Sequence, residues 1–338
     1  MKRVVDYRPE MKDGIISLMG GLPYKKRIWD WQFTCNPFDS PFDPVVVVED
    51  GRVVGFNGLM PIRVVYKGQE IEALWSCDFY VDKACRGQGL GKHIKEELVK
   101  KSPLIMSLGI SNAAAPVLLK MGWRSSLDVF NYRRIRYPSS FRNALLMFLQ
   151  LYFRVRGGFN HKSTSYDLVV SDSLPEPELV DALWVKNAHT YQKTVVRNWR
   201  YLDWKYQHHP LAKYKFLLVS LAGELKGIAV LREHNEAARL VDYLGPATDY
   251  GLQRALVRAF VRQYANKKFL SCTTSGTCFG KVLLDMGFFR ARTQPRFYVR
   301  SELPGDVDCE RGWFVMGGDS DGEMLLAASE SMNIPGPG

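Results

Sequence analysis

The chain has 338 residues, long enough for two domains, and 46% of it is hydrophobic, which supplies a packed core and excludes a disordered chain. Its net charge of +11 calls for anionic partners such as phosphorylated ligands, nucleic acid or an acidic membrane surface. The six cysteines form no C-x-x-C pair and have no His at ligand spacing, the N-terminal residues lack the apolar stretch of a secretory signal, and no apolar run is long enough for a membrane span, so free thiols and a cytoplasmic location are expected.

In chain order, the first signature is Asp-Trp-Gln-Phe-Thr-Cys-Asn-Pro at 30–37. Val45–Val48, a turn through Gly51, and Val53–Leu59 predict a hairpin, followed by a strand from Glu70 to Val81. Alternation along that strand places Glu72, Ser76, Asp78 and Tyr80 on one face, with Trp75, Cys77, Phe79 and Val81 on the other. The strand runs into Asp82-Lys83-Ala84-Cys85-Arg86-Gly87-Gln88-Gly89-Leu90-Gly91-Lys92. Glycines at three alternating positions let the backbone turn N–H groups toward one anion, and the helix that follows, Gly89–Lys101, adds the positive end of its dipole. Arg86 and Lys92 supply matching charge.

Spacing separates the glycine-loop classes. His93 stands after Lys92, so the loop is no Walker A, and Gly87-x-Gly89-x-Gly91 is not the dinucleotide fingerprint. Downstream, Leu104–Leu108 predicts a buried strand, Asn112–Met121 a helix, and Gly122-Trp123 its stop.

The loop, with this order of elements around it, resembles the Arg-Gly-x-Gly-x-Gly/Ala pyrophosphate loop of the GNAT acetyltransferase superfamily. The resemblance implies an acetyl-CoA site at Arg86, Gly87, Gln88, Gly89, Leu90, Gly91 and Lys92, with the strand end Phe79 to Val81 meeting the pantetheine arm and Asn112 at the next helix. It further implies direct acyl transfer to an amine, with no metal. A carboxylate on the strand before the loop takes the amine proton in many members of the family. Asp78 is the first choice, Glu72 the alternative, and Tyr80 the nearest acid for the departing thiolate, since the position where the family often has a Tyr is Leu118.

The chain also repeats itself. Asp203-Trp-Lys-Tyr-Gln-His-His-Pro210 matches the motif at 30–37, a strand at Leu217–Leu221 is followed by Gly223 and Gly227, and Met286-Gly287-Phe288 echoes Met121-Gly122-Trp123. Two tandem α/β domains are expected, each a mixed, mostly antiparallel sheet flanked by helices: 1–137 with the cofactor loop, a linker at 138–164, a degenerate copy at 165–300, and a C-terminal strand and tail at 301–338. In the second copy the loop position reads Val241 to Gly251, where Pro246 lacks an N–H and Asp249 repels phosphate, so no coenzyme A is expected there. The duplicated Trp residues are expected to be packing residues. The apolar segment 141–156 among arginines reads as a buried linker helix, with a peripheral membrane contact as its alternative.

The repeat and the closing aromatic run Trp313–Met316 resemble tandem GNAT proteins of bacterial surface-polysaccharide synthesis. That resemblance implies an amino-sugar acceptor. The alternatives are an aminoacyl-tRNA-dependent peptidoglycan transferase and a non-catalytic binding protein of the same fold. A nucleic-acid partner is not expected; a homodimer is a candidate arrangement.

Overall fold

The structure is a computed structural model that describes residues 1–38, 43–112, 114–137, 145, 147, 148, 150–152, 165–291 and 296–332. The first half runs β1 (Arg3–Val5), α1 (Lys12–Leu18), α2 (Pro23–Phe33), β2 (Val45–Glu49), β3 (Arg52–Tyr66), β4 (Gln69–Val81), α3 (Leu90–Leu98), β5 (Leu104–Leu108), α4 (Ala115–Lys120), β6 (Arg124–Ser126) and β7 (Phe130–Ile135). The second runs β8 (Asp167–Ser171), α5 (Pro177–Ala188), β9 (Lys193–Val195), α6 (Trp199–Leu202) with a π-turn at Asp203–Gln207, β10 (Lys215–Leu221), β11 (Glu224–His234), β12 (Ala237–Leu244), α7 (Tyr250–Gln263), β13 (Phe269–Thr274), α8 (Thr277–Asp285), β14 (Phe289–Arg290) and β15 (Phe297–Ser301). After these come β16 (Trp313–Phe314) and α9 (Gly322–Ser331).

Among the described residues these strands make two mixed sheets flanked by helices. The first has the order β1-β2-β3-β4-β5-β15-β6, with β9 and β16 attached beyond β3; the second has the order β14-β7-β13-β12-β11-β10-β8. The halves trade strands. β7 pairs with β13 across six residues, and β15 lies between β5 and β6. A cut at residue 137 therefore severs neither sheet cleanly, because each would lose a strand whose backbone groups need the neighbour. The closing region also differs from the expected strand and tail, since it holds the ten-residue helix α9.

Both faces of the first sheet are covered. Trp29 and Phe33 of α2 pack with Phe56, Trp75 and Cys77, while Leu90, Ile94 and Leu98 of α3 pack with Val54, Leu59 and Leu118 on the other side. The predicted helix at 112–121 begins later, at Ala115, with Pro116 in its first turn. Most of the helix expected at 141–156 lies outside the described residues; Gln150 is buried and bonded to the backbone of Ile135, while Leu145, Phe148 and Leu151 are exposed. Among the described residues no helix is long and apolar enough to cross a membrane.

The duplicated tryptophans sit where the halves meet. Trp31 donates its indole N–H to the carbonyl of Trp204, Trp204 donates to the carbonyl of Trp31, each at 2.9 Å, and the rings lie 5.5 Å apart. This reciprocity is what a local two-fold relation between repeats produces. The packing role expected for them is correct in kind, and it is exercised between halves.

Candidate functional site

β4 breaks its own alternation. Phe56 pairs with Tyr80 and Gly58 with Cys77, so Asn57 alone faces both Asp78 and Phe79. This is a β-bulge, and Asp78 carries its positive φ of 49°. The Asn57 amide holds the kink by donating to the Cys77 carbonyl at 3.3 Å and the Gly58 carbonyl at 2.8 Å. The extra residue swaps the faces: Ser76 points with Phe79 and Val81 toward α3, whereas Cys77, Asp78 and Tyr80 point toward α2. The expectation that Ser76 and Asp78 share a face is thus corrected, because period-two alternation holds only through unbulged strand. Glu72 is exposed, pairs in register with Arg63, and lies six residues up the strand, roughly 20 Å from Asp78.

Beyond the bulge, β4 leaves β5. Their ladder is confined to Leu74–Ile105 and Trp75–Met106, so the stretch from Ser76 to Val81 diverges from β5, which turns its other edge to β15. At the end of that stretch lies the loop. Gly87 and Gly89 take φ values of 76° and 80°, with no atom within 4 Å of where a side chain would start. Gly89 caps α3 with no side-chain acceptor, and the first intrahelical bond is His93 N–H to Gly89 at 3.0 Å, so among the described residues the amides of Leu90, Gly91 and Lys92 are spare donors. Gly91 packs on Phe79, where a Cβ would stand 3.3 Å from the ring. The side chain of Gln88 is bonded to Ala84. Arg86 donates Nε to the Val81 carbonyl, and the side chains of Arg86 and Lys92 are solvent-facing. Open glycines, spare helix amides and exposed cations fit a pyrophosphate. Asn112 is exposed and bonded to Arg296.

Toward α2 the bulge forms a buried polar chamber. Lys25 pairs with Asp78 and donates to Gln32 at 2.5 Å, and Gln32 reaches Asp78 at 3.4 Å. Asp321, at the start of α9, brings a second carboxylate: its oxygen, one of Asp78 and the Cys77 sulfur all lie within 4.8 Å of one another. Burial, with Asp78 next, pushes Asp321 up to about 7. Burial also raises Tyr80, and Tyr24 to about 12, with Asp78 and Asp321 adding to both shifts. Sequence reasoning missed Asp321, since nothing local ties a tail residue to β4. It missed Lys95 too, a buried α3 lysine that donates to Asn57 at 2.6 Å and Ser76 at 3.1 Å. Desolvation lowers Lys95 to about 7. Leu118 is buried in the apolar layer under α3, so no hydroxyl stands there.

The equivalent place in the second sheet is built and then closed. Asp242 pairs with Val230 just after a β12 bulge whose extra residue is Val241. Arg197 binds Asp242 at 2.8 Å, binds both oxygens of Asp319 at 2.7 Å, and spends its remaining donors on Thr194 and Val195. β12 and β13 separate after Leu240 and Cys272, and the chain's own C-terminal segment enters the gap: Gly317 N–H bonds Thr273 at 2.9 Å and Gly318 N–H bonds Val241 at 3.0 Å. The loop after β12 is tied inward by Tyr191, Tyr243 and Gln253, and Asp249 caps α7 through Leu252 N–H.

Residues 41–125 match the family model of the acetyltransferase (GNAT) domain. A comparison with curated proteins finds no significant match. Among solved structures the chain is similar to a probable N-acyltransferase of unknown function from Enterococcus faecalis, at 13% identity over 88% of this chain and 72% of that one, with a TM-score of 0.64. A GCN5-related N-acetyltransferase from Anabaena variabilis gives 12% identity, coverage of 88% and 72%, and a TM-score of 0.61. Saccharomyces cerevisiae N-myristoyltransferase, solved with bound myristoyl-CoA, gives 12% identity, coverage of 88% and 82%, and a TM-score of 0.55. At such identities the likeness is one of fold. The chain therefore carries a GNAT acetyltransferase domain at residues 41–125, set in a chain with the fold of N-acyltransferases.

Proposed function

We propose that the chain transfers an acetyl group from acetyl-CoA to the amine of a small molecule, with an amino sugar of cell-envelope polysaccharide synthesis as the acceptor class. The observation that carries an amine acceptor is the pairing of two carboxylates in one chamber: Asp78 and Asp321 lie together there, with Lys25 bound to Asp78, in a protein that is otherwise strongly basic. A cationic amine is attracted to such a pocket, while the loop outside it favours an anion.

Coenzyme A, when bound, supplies an acyl thioester. The amides of Leu90, Gly91 and Lys92 would hold its pyrophosphate, with Arg86 and Lys92 beside them, and the β5-facing side of β4 from Phe79 to Val81, beyond the β4–β5 ladder, would hydrogen-bond its arm. Asp78 and Tyr80, at the bulge, then border the place where the amine meets the acyl carbon. The amino-sugar class rests on the resemblance of the repeated Asp-Trp motif to tandem proteins of polysaccharide synthesis. Calorimetric titration with coenzyme A tests the donor, and thiol release from acetyl-CoA across nucleotide-linked amino sugars tests the acceptor. Binding with turnover on an amino sugar is expected; a wild-type protein that binds no coenzyme A overturns the reading.

A further inference from the structure

The turn Asp319-Ser320-Asp321 serves both halves at once. Asp319 goes to the Asp242 bulge and Asp321 to the Asp78 bulge. At the first destination the incoming carboxylate is fully bonded: Arg197 grips both oxygens, and Met316 N–H adds a bond of 2.8 Å. At the second it is not. The Asp321 side chain is about nine-tenths buried, yet among the described residues it receives no hydrogen bond from any residue but itself. Lys25 and Gln32 are spent on Asp78.

We propose that Asp321 is the group that takes the proton from the acceptor amine, with Asp78, paired to Lys25, as its neighbour; this rests on the acyl-transfer reading above. An alkyl ammonium entering the chamber gives one proton to the Asp321 carboxylate. Its freed electron pair forms the C–N bond as the C–S bond breaks. The second proton leaves nitrogen for the departing thiolate, and Asp321 later releases its own proton to water. The groups facing Asp321 are Tyr24 and Lys25 from α2, Cys77, Asp78 and Tyr80 from β4, and Lys205 from the π-turn. Of these, Asp78 opposes ionisation and the two lysines favour it. With burial dominating, the carboxylate is poised to accept a proton near neutrality, as a general base requires.

The test uses full-length protein labelled with ¹³C at the aspartate carboxyls, as wild type, Asp321→Asn, Asp321→Glu and Asp78→Asn. Wild type is expected to show a carboxyl that titrates near pH 7 and is missing from Asp321→Asn. Coenzyme A affinity, by calorimetry, should be unchanged in Asp321→Asn. Its kcat for acetyl transfer to nucleotide-linked amino sugars should fall by about 10²–10⁴, with part of the rate restored in Asp321→Glu. A near-neutral carboxyl that survives in Asp321→Asn, or a kcat within a few-fold of wild type, overturns the proposal. Absence of coenzyme A binding by wild type instead overturns the acyl-transfer reading and this role with it.

Discussion

Both sheets contain a bulged strand with an aspartate at or beside the extra residue, a buried basic residue on that aspartate, Lys25 in one and Arg197 in the other, and a parallel neighbour that peels away. In the first sheet the gap between β4 and β5 leads to a loop with spare amides. In the second, residues 317 and 318 bond into the gap and the loop's carbonyls are tied to Tyr191, Tyr243 and Gln253. The bulge and the splay are features of the fold; the two gaps differ in whether their backbone polar groups are left unspent. A segment whose N–H groups satisfy the open carbonyls converts the same geometry into core.

The largest effect should come from filling the open loop. Gly89→Glu places a carboxylate at a positive φ where the pyrophosphate is expected, and coenzyme A affinity should fall by more than about 100-fold by calorimetry. The stoichiometry sharpens the same point: wild type should bind one coenzyme A per chain, and a cofactor-soaked crystal with density between β12 and β13 would erase the distinction between the halves.

Next in size is Arg197→Met, which strands Asp242 and Asp319 in the interior. Loss of about 3–5 kcal/mol is expected by denaturant unfolding. Lys25→Met should cost less, and its cost should depend on pH. Asp321 has a folded-state pKa raised above its unfolded value, so its contribution is present below the unfolded pKa and is lost as pH rises through about 7. Without Lys25, whose charge lowers its pKa, Asp321 binds its proton still more tightly. The melting temperature of Lys25→Met relative to wild type should therefore drop further between about pH 5 and about pH 8. A penalty that stays flat over that interval would show that Asp321 is ionised throughout. Smallest is Trp31→Phe or Trp204→Phe, each about 1 kcal/mol, with a double mutant that costs clearly less than the two together because the rings share one contact.

The loop was legible from its residues because its chemistry is local: three glycines, Arg86 and Lys92 specify a turn and a charge within a dozen positions. The order of strands and helices around it was legible for the same reason. Alternation failed at Asp78, since a bulge leaves no mark in the strand's hydrophobic pattern and depends on Asn57, twenty-one residues upstream.

The sequence by itself determined the glycine turn before a helix and the α/β class, and its repeated Asp-Trp motif marked the two residues that meet across the halves, all carried by spacing and periodicity. Only tertiary structure decided that β7 and β15 change sheets, that residues 315–318 close one cleft, and that Asp321 arrives beside Asp78 from the far end of the chain. Those outcomes are set by which distant backbone donors find acceptors and which buried charges find partners, and neither is written in the neighbours of a residue along the chain.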